Sequence, residues 1–164
     1  MNVFEGGDGH HLEMTNGGTA VFVDVLMLAV STLAREPWEF RFAALLTLQD
    51  QNVMGRGAVG FGLAELDWGD SRQERAAARE FLLRVLDLAL SRHRWEELPY
   101  VPSRAEEHLR TYRTMVQDFD SETAQIGPGA LPGPQEAAMA SCVRHRVLSA
   151  LPFWEACVFC TAED

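Results

Sequence analysis

All three cysteines of the chain fall within CVRHRVLSALPFWEACVFC, residues 142 to 160, together with one of its five histidines. Their spacing is Cys-x2-His, eleven residues, then Cys-x2-Cys. Pro134 stands where a first helical residue would, and QEAAMASCVRHRVLSAL continues as a helix. On such a helix Cys142 and His145 are three apart and share a face, so both side chains can reach one ion. Pro152 then ends the helix and lets the chain turn back, bringing Cys157 and Cys160 as a second pair at knuckle spacing. Three thiolates and one imidazole make a tetrahedral, soft-leaning donor set suited to Zn2+.

Four protein ligands close the coordination sphere, which points to a structural zinc rather than a catalytic one. Glu155, between the pairs, becomes a general base only if His145 is not bound. The competing reading is plain packing: reduced cysteines behave as small buried hydrophobes, here beside Phe153, Trp154 and Phe159.

Other chemistry-bearing groups are more scattered. His10, His11 and Glu13 lie in a turn-rich stretch and read as an exposed polar loop before they read as metal ligands. His93 falls near the end of a long helix, where a cationic imidazole suits the negative end of the dipole. His108 and Tyr112 are one turn apart and could form an acid/base pair, but no nucleophile with a recognisable setting accompanies them. Glu96 and Glu97, or Glu106 and Glu107, are sequence neighbours and point to different helical faces. The chain has no G-x-S-x-G elbow for a serine nucleophile.

Gly55, Gly57 and Gly60 satisfy G-x-G-x-x-G. The context fails, because a dinucleotide fingerprint needs a buried strand before it and a helix opening within it. The segment before it looks helical, and FGLAELDWGD after it leads into turns. A glycine-rich loop or short hairpin near residues 53 to 66 is expected instead.

The formal charge is −10, and all 14 basic residues are arginine. Without lysine there is no Schiff-base chemistry and no P-loop lysine; the bias itself fits a GC-rich bacterial genome. Arg72, Arg75 and Arg79 follow helical spacing, but Glu74 and Glu80 intersperse them, so a solvated face is expected. A basic surface for nucleic acid would need them to join Arg144 and Arg146. Nucleic acid is therefore the least expected partner, and a basic protein the most expected.

The elements that must position these groups are mainly helical. The apolar run from Ala20 to Ala34 is too short to span a bilayer, carries Asp24, and reads as a buried helix capped at Thr19. Its VFVDV start alternates well enough to be a strand instead. Pro37 ends that helix or opens the next, in which Phe42, Leu45, Leu46 and Gln49 form a stripe. Ser71 with Glu74 makes a capping box for a helix running to about Trp95, with Ala78, Phe81, Leu82, Val85, Leu88 and Ala89 facing the core and Arg75, Arg79 and Asp87 facing water. Ser103 with Glu106 makes a second box, before the stripe Ala105, Leu109, Tyr112, Val116 and Phe119. Val25 and Leu28 complete the expected core.

The organisation expected is a mainly α, single-domain helical bundle with a short glycine-rich hairpin or loop and a small C-terminal zinc-binding lobe. Residues 1–120 form the helical body, 121–134 a Pro/Gly/acidic linker and 135–164 the lobe. No secretory signal precedes the body and three clustered cysteines make no disulfide framework, so the cytoplasm is the expected compartment. The functional expectation is a non-catalytic acidic interaction protein with a structural zinc, most concretely an antitoxin or immunity-type inhibitor of a basic partner, with its tryptophans as interface anchors. The alternative is a zinc-dependent enzyme or biosynthetic accessory protein using the same metal.

Overall fold

A computed structural model describes residues 1–7, 9–49, 60–121 and Phe159. Within them the chain is mainly helical: strands β1 (Asn2–Glu5) and β2 (His11–Met14), then helices α1 (Asn16–Leu33), α2 (Pro37–Thr47), α3 (Arg72–Leu90) and α4 (Ala105–Asp118). Single 3-10 turns occupy Leu63–Glu65 and Trp95–Glu97.

The turn-rich stretch that carries His10, His11 and Glu13 is part of an antiparallel hairpin, Asn2 opposite Met14 and Phe4 opposite Leu12. Its alternation puts Asn2, Phe4, Leu12 and Met14 on one buried face. That face is what lets four-residue strands persist, because a lone short hairpin is marginal in water. The chain returns to the hairpin at Gly62, which bridges Glu5 in parallel, while the Glu5 amide donates to the Phe61 carbonyl. Gly60 makes that return possible. Its φ is +123°, and a Cβ there would lie 1.9 Å from the Val3 carbonyl oxygen, so any side chain collides with backbone. Of the glycine-rich segment expected near residues 53 to 66, positions 53–59, with Gly55 and Gly57, lie outside the described residues.

Helix α1 starts four residues before the expected cap: Thr15 is the N-cap, and its hydroxyl accepts from the Gly18 amide. The strand-like VFVDV run is helical, and burial on nearly every side explains why it is apolar apart from Asp24. At 18 residues α1 is long and apolar enough for a membrane span by length and composition. In the fold it lies centrally, against α2, α3, α4 and β2. Pro37 opens α2 at its first position, and Glu39 reaches back to the amides of Arg35 and Glu36.

Ser71 caps α3 as expected by accepting from the Glu74 amide, although the Glu74 carboxylate takes the Asp70 amide instead of the Ser71 one. The helix ends at Leu90, short of Trp95. Leu86 is buried where Leu88 was expected, Leu88 being half-buried. The other residues of the expected core are all buried. In α4 the stripe Ala105, Leu109, Tyr112, Val116 and Phe119 is buried as the spacing predicts. The second capping box is not formed. Arg104, in the left-handed region at φ 62°, is the N-cap, and no side chain caps this end. Arg92 with Glu106, Asp87 with Arg113 and Arg79 with the Gln117 carbonyl pair in reverse order, so α3 and α4 run antiparallel.

An aromatic chain threads the core from one side to the other: Phe119, Trp68, Trp38, Phe42, Phe61, Phe4, Phe22 and Tyr112, each within van der Waals reach of the next. Two of the four tryptophans expected at an interface, Trp38 and Trp68, are part of it. Trp68 is buried and donates to the Leu63 carbonyl, and half-buried Trp38 donates to the Asp67 carbonyl. Phe159 belongs to the same core.

Candidate functional site

The expected ligands Cys142, His145, Cys157 and Cys160 lie outside the described residues, as do Glu155, Arg144, Arg146 and the linker beyond Ser121. Among the described residues no three His, Cys, Asp or Glu side chains are grouped to hold a metal. His11 and Glu13 approach to 3.7 Å on the exposed face of β2, with His10 exposed beside them.

Two places in the body gather unusual polar groups. The first is where β1, the start of α1 and α4 meet. Strand alternation turns Asn2 inward, and its amide donates to the Thr19 hydroxyl at 2.6 Å and to Asn16 Oδ1 at 3.3 Å. The Thr19 hydroxyl in turn donates to the Thr15 carbonyl at 2.8 Å. Asn2 and Thr19 are fully buried, so this chain of bonds fastens the hairpin to the first turn of α1. Thr19, expected as the cap, is instead the keystone of that latch.

His108 arrives at the same turn from α4. It is 8 % exposed, and its Cε1 would lie 3.7 Å from a Cβ at Gly18. Glycine at position 18 leaves the space the imidazole edge faces. Neither ring nitrogen has a hydrogen-bond partner among the described residues. Burial, and secondarily the Arg104 guanidinium, hold its pKa below the usual histidine value, with Glu107 opposing them. Burial and Arg104 therefore favour the neutral imidazole over the charged one.

Tyr112 follows one turn later, fully buried, its hydroxyl without a partner among the described residues. Burial pushes its pKa well above the usual phenol value. His108 and Tyr112 are not hydrogen-bonded to one another, so the acid/base pair suggested by their spacing is not assembled. The aromatic chain, not a reacting group, uses Tyr112: its ring stands edge-on to Phe4 and Phe22.

The second place is the connector between α3 and α4. Arg92, Arg94 and Arg104 all have φ near +60°, a region where arginine is uncommon. The surroundings hold them there. Arg92 pairs with Glu106 and lies over the Trp95 ring, Arg94 pairs with Glu97 at 2.7 Å and lies over Phe159, and Arg104 pairs with Glu107. His93 hydrogen-bonds the Thr32 hydroxyl at 2.7 Å and so ties the connector to α1. Tyr100 donates to Asp24, which explains how α1 tolerates a carboxylate in its middle. Trp95 Nε1 is buried without a partner among the described residues.

The expected water-facing arginines of α3 divide. Arg75 is 8 % exposed and donates to the Gly69 carbonyl, Arg79 turns to the Gln117 carbonyl, and only Arg72 is exposed. They form no common basic surface. Nothing in the sequence marks Arg75 as buried, because a guanidinium that finds a carbonyl acceptor is recognisable only after the Asp67–Gly69 turn has been placed.

The chain matches no protein-family model, no curated protein and no solved structure.

Proposed function

We propose that this chain is a non-catalytic acidic interaction protein that binds a basic partner protein, its C-terminal segment stiffened by a structural Zn2+ on Cys142, His145, Cys157 and Cys160. The most concrete form is a bacterial, cytoplasmic antitoxin or immunity-type inhibitor. The observation that carries the reading is where the net charge of −10 resides. Arginines of the body are engaged inside it, Arg92, Arg94, Arg104, Arg110 and Arg113 with carboxylates and Arg75 and Arg79 with carbonyls. Glu5, Glu80, Glu96 and Asp118 are exposed and form no ion pair among the described residues. What such a surface offers to solvent is uncompensated negative charge, which speeds encounter with a basic face and weakens with salt.

Capture from host extract at low salt tests the partner. The expected product is a basic protein, released by raising the salt, retained less by the variant Glu80→Arg/Glu96→Arg, and neutralised by co-expression if it is toxic alone. Retention of acidic proteins only, or binding indifferent to salt, would remove this reading. Elemental analysis of the purified protein tests the metal separately, with one zinc per chain expected and its loss in Cys142→Ser and His145→Ala.

A further inference from the structure

The two edges of the hairpin are not alike. The Gly6 amide donates to the His10 carbonyl at 2.7 Å, so Gly6 and His10 are a hydrogen-bonded pair. Antiparallel alternation then makes Phe4–Leu12 and Asn2–Met14 bonded pairs, and Glu5–His11 and Val3–Glu13 non-bonded ones, whose amides and carbonyls point away from each other. On β1 the chain returning at residues 60–62 takes those groups: the Glu5 amide donates to the Phe61 carbonyl, and Gly60 lies against the Val3 carbonyl. On β2 the outward amides and carbonyls of His11 and Glu13 have no partner among the described residues. The positions that continue β2 do not shield them, since a Cβ on Gly9 would meet nothing within 4 Å, and Thr15 and Asn16 are exposed.

An open edge by itself names no partner, and charged side chains on it ordinarily discourage pairing. These side chains instead select one. His11 and Glu13 stand on the same face of β2, with side chains 57 % and 50 % exposed. Two copies of β2 running antiparallel can meet with Glu13 opposite Glu13, with His11 opposite His11, or with each His11 opposite the Glu13 of the other copy. The first sets like charges side by side, the second leaves the carboxylates without a counterpart, and the third is complementary at both positions. Glu5 already lies opposite His11 across the hairpin, so in the third register each imidazole stands between two carboxylates.

We propose that the β2 edge is a self-association surface, on which a second copy of this chain pairs its own β2 antiparallel, His11 of each copy opposite Glu13 of the other about a twofold axis at Leu12. Each such pair exchanges both of its backbone hydrogen bonds, and on the exposed face the imidazole N–H donates to the carboxylate. The two hairpins become one four-stranded sheet. The pairing is isologous and closes, because the outer edge of β1 is already taken by residues 60–62, so no third copy can add. A strand of four residues offers less contact than a stable interface needs, so the dimer is transient and fills at high protein concentration. It requires neither the basic partner nor the zinc.

Sedimentation equilibrium of the purified full chain, in reducing buffer over a range of concentrations, reads the association, and 15N spectra locate it. A monomer–dimer equilibrium is expected, with concentration-dependent shifts at the His11 and Glu13 amides. Glu13→Pro removes an outward amide that the hairpin does not use, so helical circular dichroism should be retained while dimerisation weakens about tenfold or more. His11→Glu changes only a side chain, sets like charges opposite each other and should weaken dimerisation about fivefold, whereas His11→Arg should tighten it about threefold. A chain that is monomeric at every concentration would overturn the pairing and leave the edge to a strand of another protein. Association unchanged in both Glu13→Pro and His11→Glu, or shifts centred away from β2, would overturn it in favour of another surface.

Discussion

The hairpin junction and the α3–α4 connector both turn the chain sharply, and they do it by opposite means. At the junction the residue types are those the geometry demands. Gly60 has φ +123° where no other side chain fits, and Asn2 and Thr19 satisfy each other in the interior. At the connector three arginines hold φ near +60°, kept there by ion pairs, ring contacts and the His93 and Tyr100 bonds to α1. One region is determined by what each residue can do alone, the other by what its neighbours compel.

That contrast is sharpest where a substitution is irreparable. Gly60→Ala is expected to destabilise by about 3 kcal/mol or more, because a methyl group 1.9 Å from the Val3 carbonyl must push β1 off the core. Urea unfolding would measure it, and a loss under 1 kcal/mol would show that the hairpin return is soft.

Next comes the latch. Thr19→Val keeps the shape and removes the hydroxyl that accepts from Asn2, for an expected cost of about 2 kcal/mol, while Thr19→Ser should recover most of it. Tyr112→Phe should act in the reverse direction, gaining up to about 1 kcal/mol, because it deletes a buried hydroxyl that has no partner. A measured loss there would mean that the hydroxyl is bonded in solution.

The connector predicts smaller and divergent effects. Arg104→Gly relieves the left-handed backbone and gives up only an exposed ion pair, so a gain of about 0.5 kcal/mol is expected. Arg94→Gly relieves the same strain but loses a guanidinium that pairs with Glu97 and covers Phe159, for a net loss of about 1 kcal/mol. Equal changes in the two would show that the neighbours do not impose the conformation.

The smallest effect is with pH. Because the folded state lowers the His108 pKa, the unfolded chain binds a proton that the folded one refuses as pH falls below about 6.5. Stability should therefore decrease from pH 7.5 toward the lowered folded value, and His108→Leu should flatten that part of the profile in thermal unfolding.

Much of the fold was legible because it repeats. The three-and-four spacing in α3 and α4 marks their buried stripes, and Pro37 marks the start of α2, since these patterns follow from helix geometry within one segment. The misreadings share a cause. Ser103 and Glu106 have capping-box spacing, but the chain has already turned through Ser103 to the Val101 carbonyl, and the helix starts after Arg104. Leu86 replaces Leu88 in the core because α3 packs against both α1 and α4, which widens its buried face beyond a single stripe.

For the candidate sites the division is similar. The metal-ligand spacing of the tail and the pairing of His108 with Tyr112 can be read from positions alone. That His108 meets Gly18, ninety residues away in the chain, cannot.

By itself, then, the sequence determined that α2, α3 and α4 are helical, which faces of α3 and α4 are apolar, that positive charge must come from arginine, and that the tail carries three cysteines and a histidine in two pairs of the same spacing. These depend on local periodicity and side-chain chemistry. Only the tertiary structure decided that residues 2 to 14 pair as a hairpin, that Arg75 is buried, that three arginines adopt a left-handed backbone, and that His108 packs against Gly18. Those outcomes depend on contacts between segments far apart in the chain, whose energies outweigh local preference once α1 is enclosed.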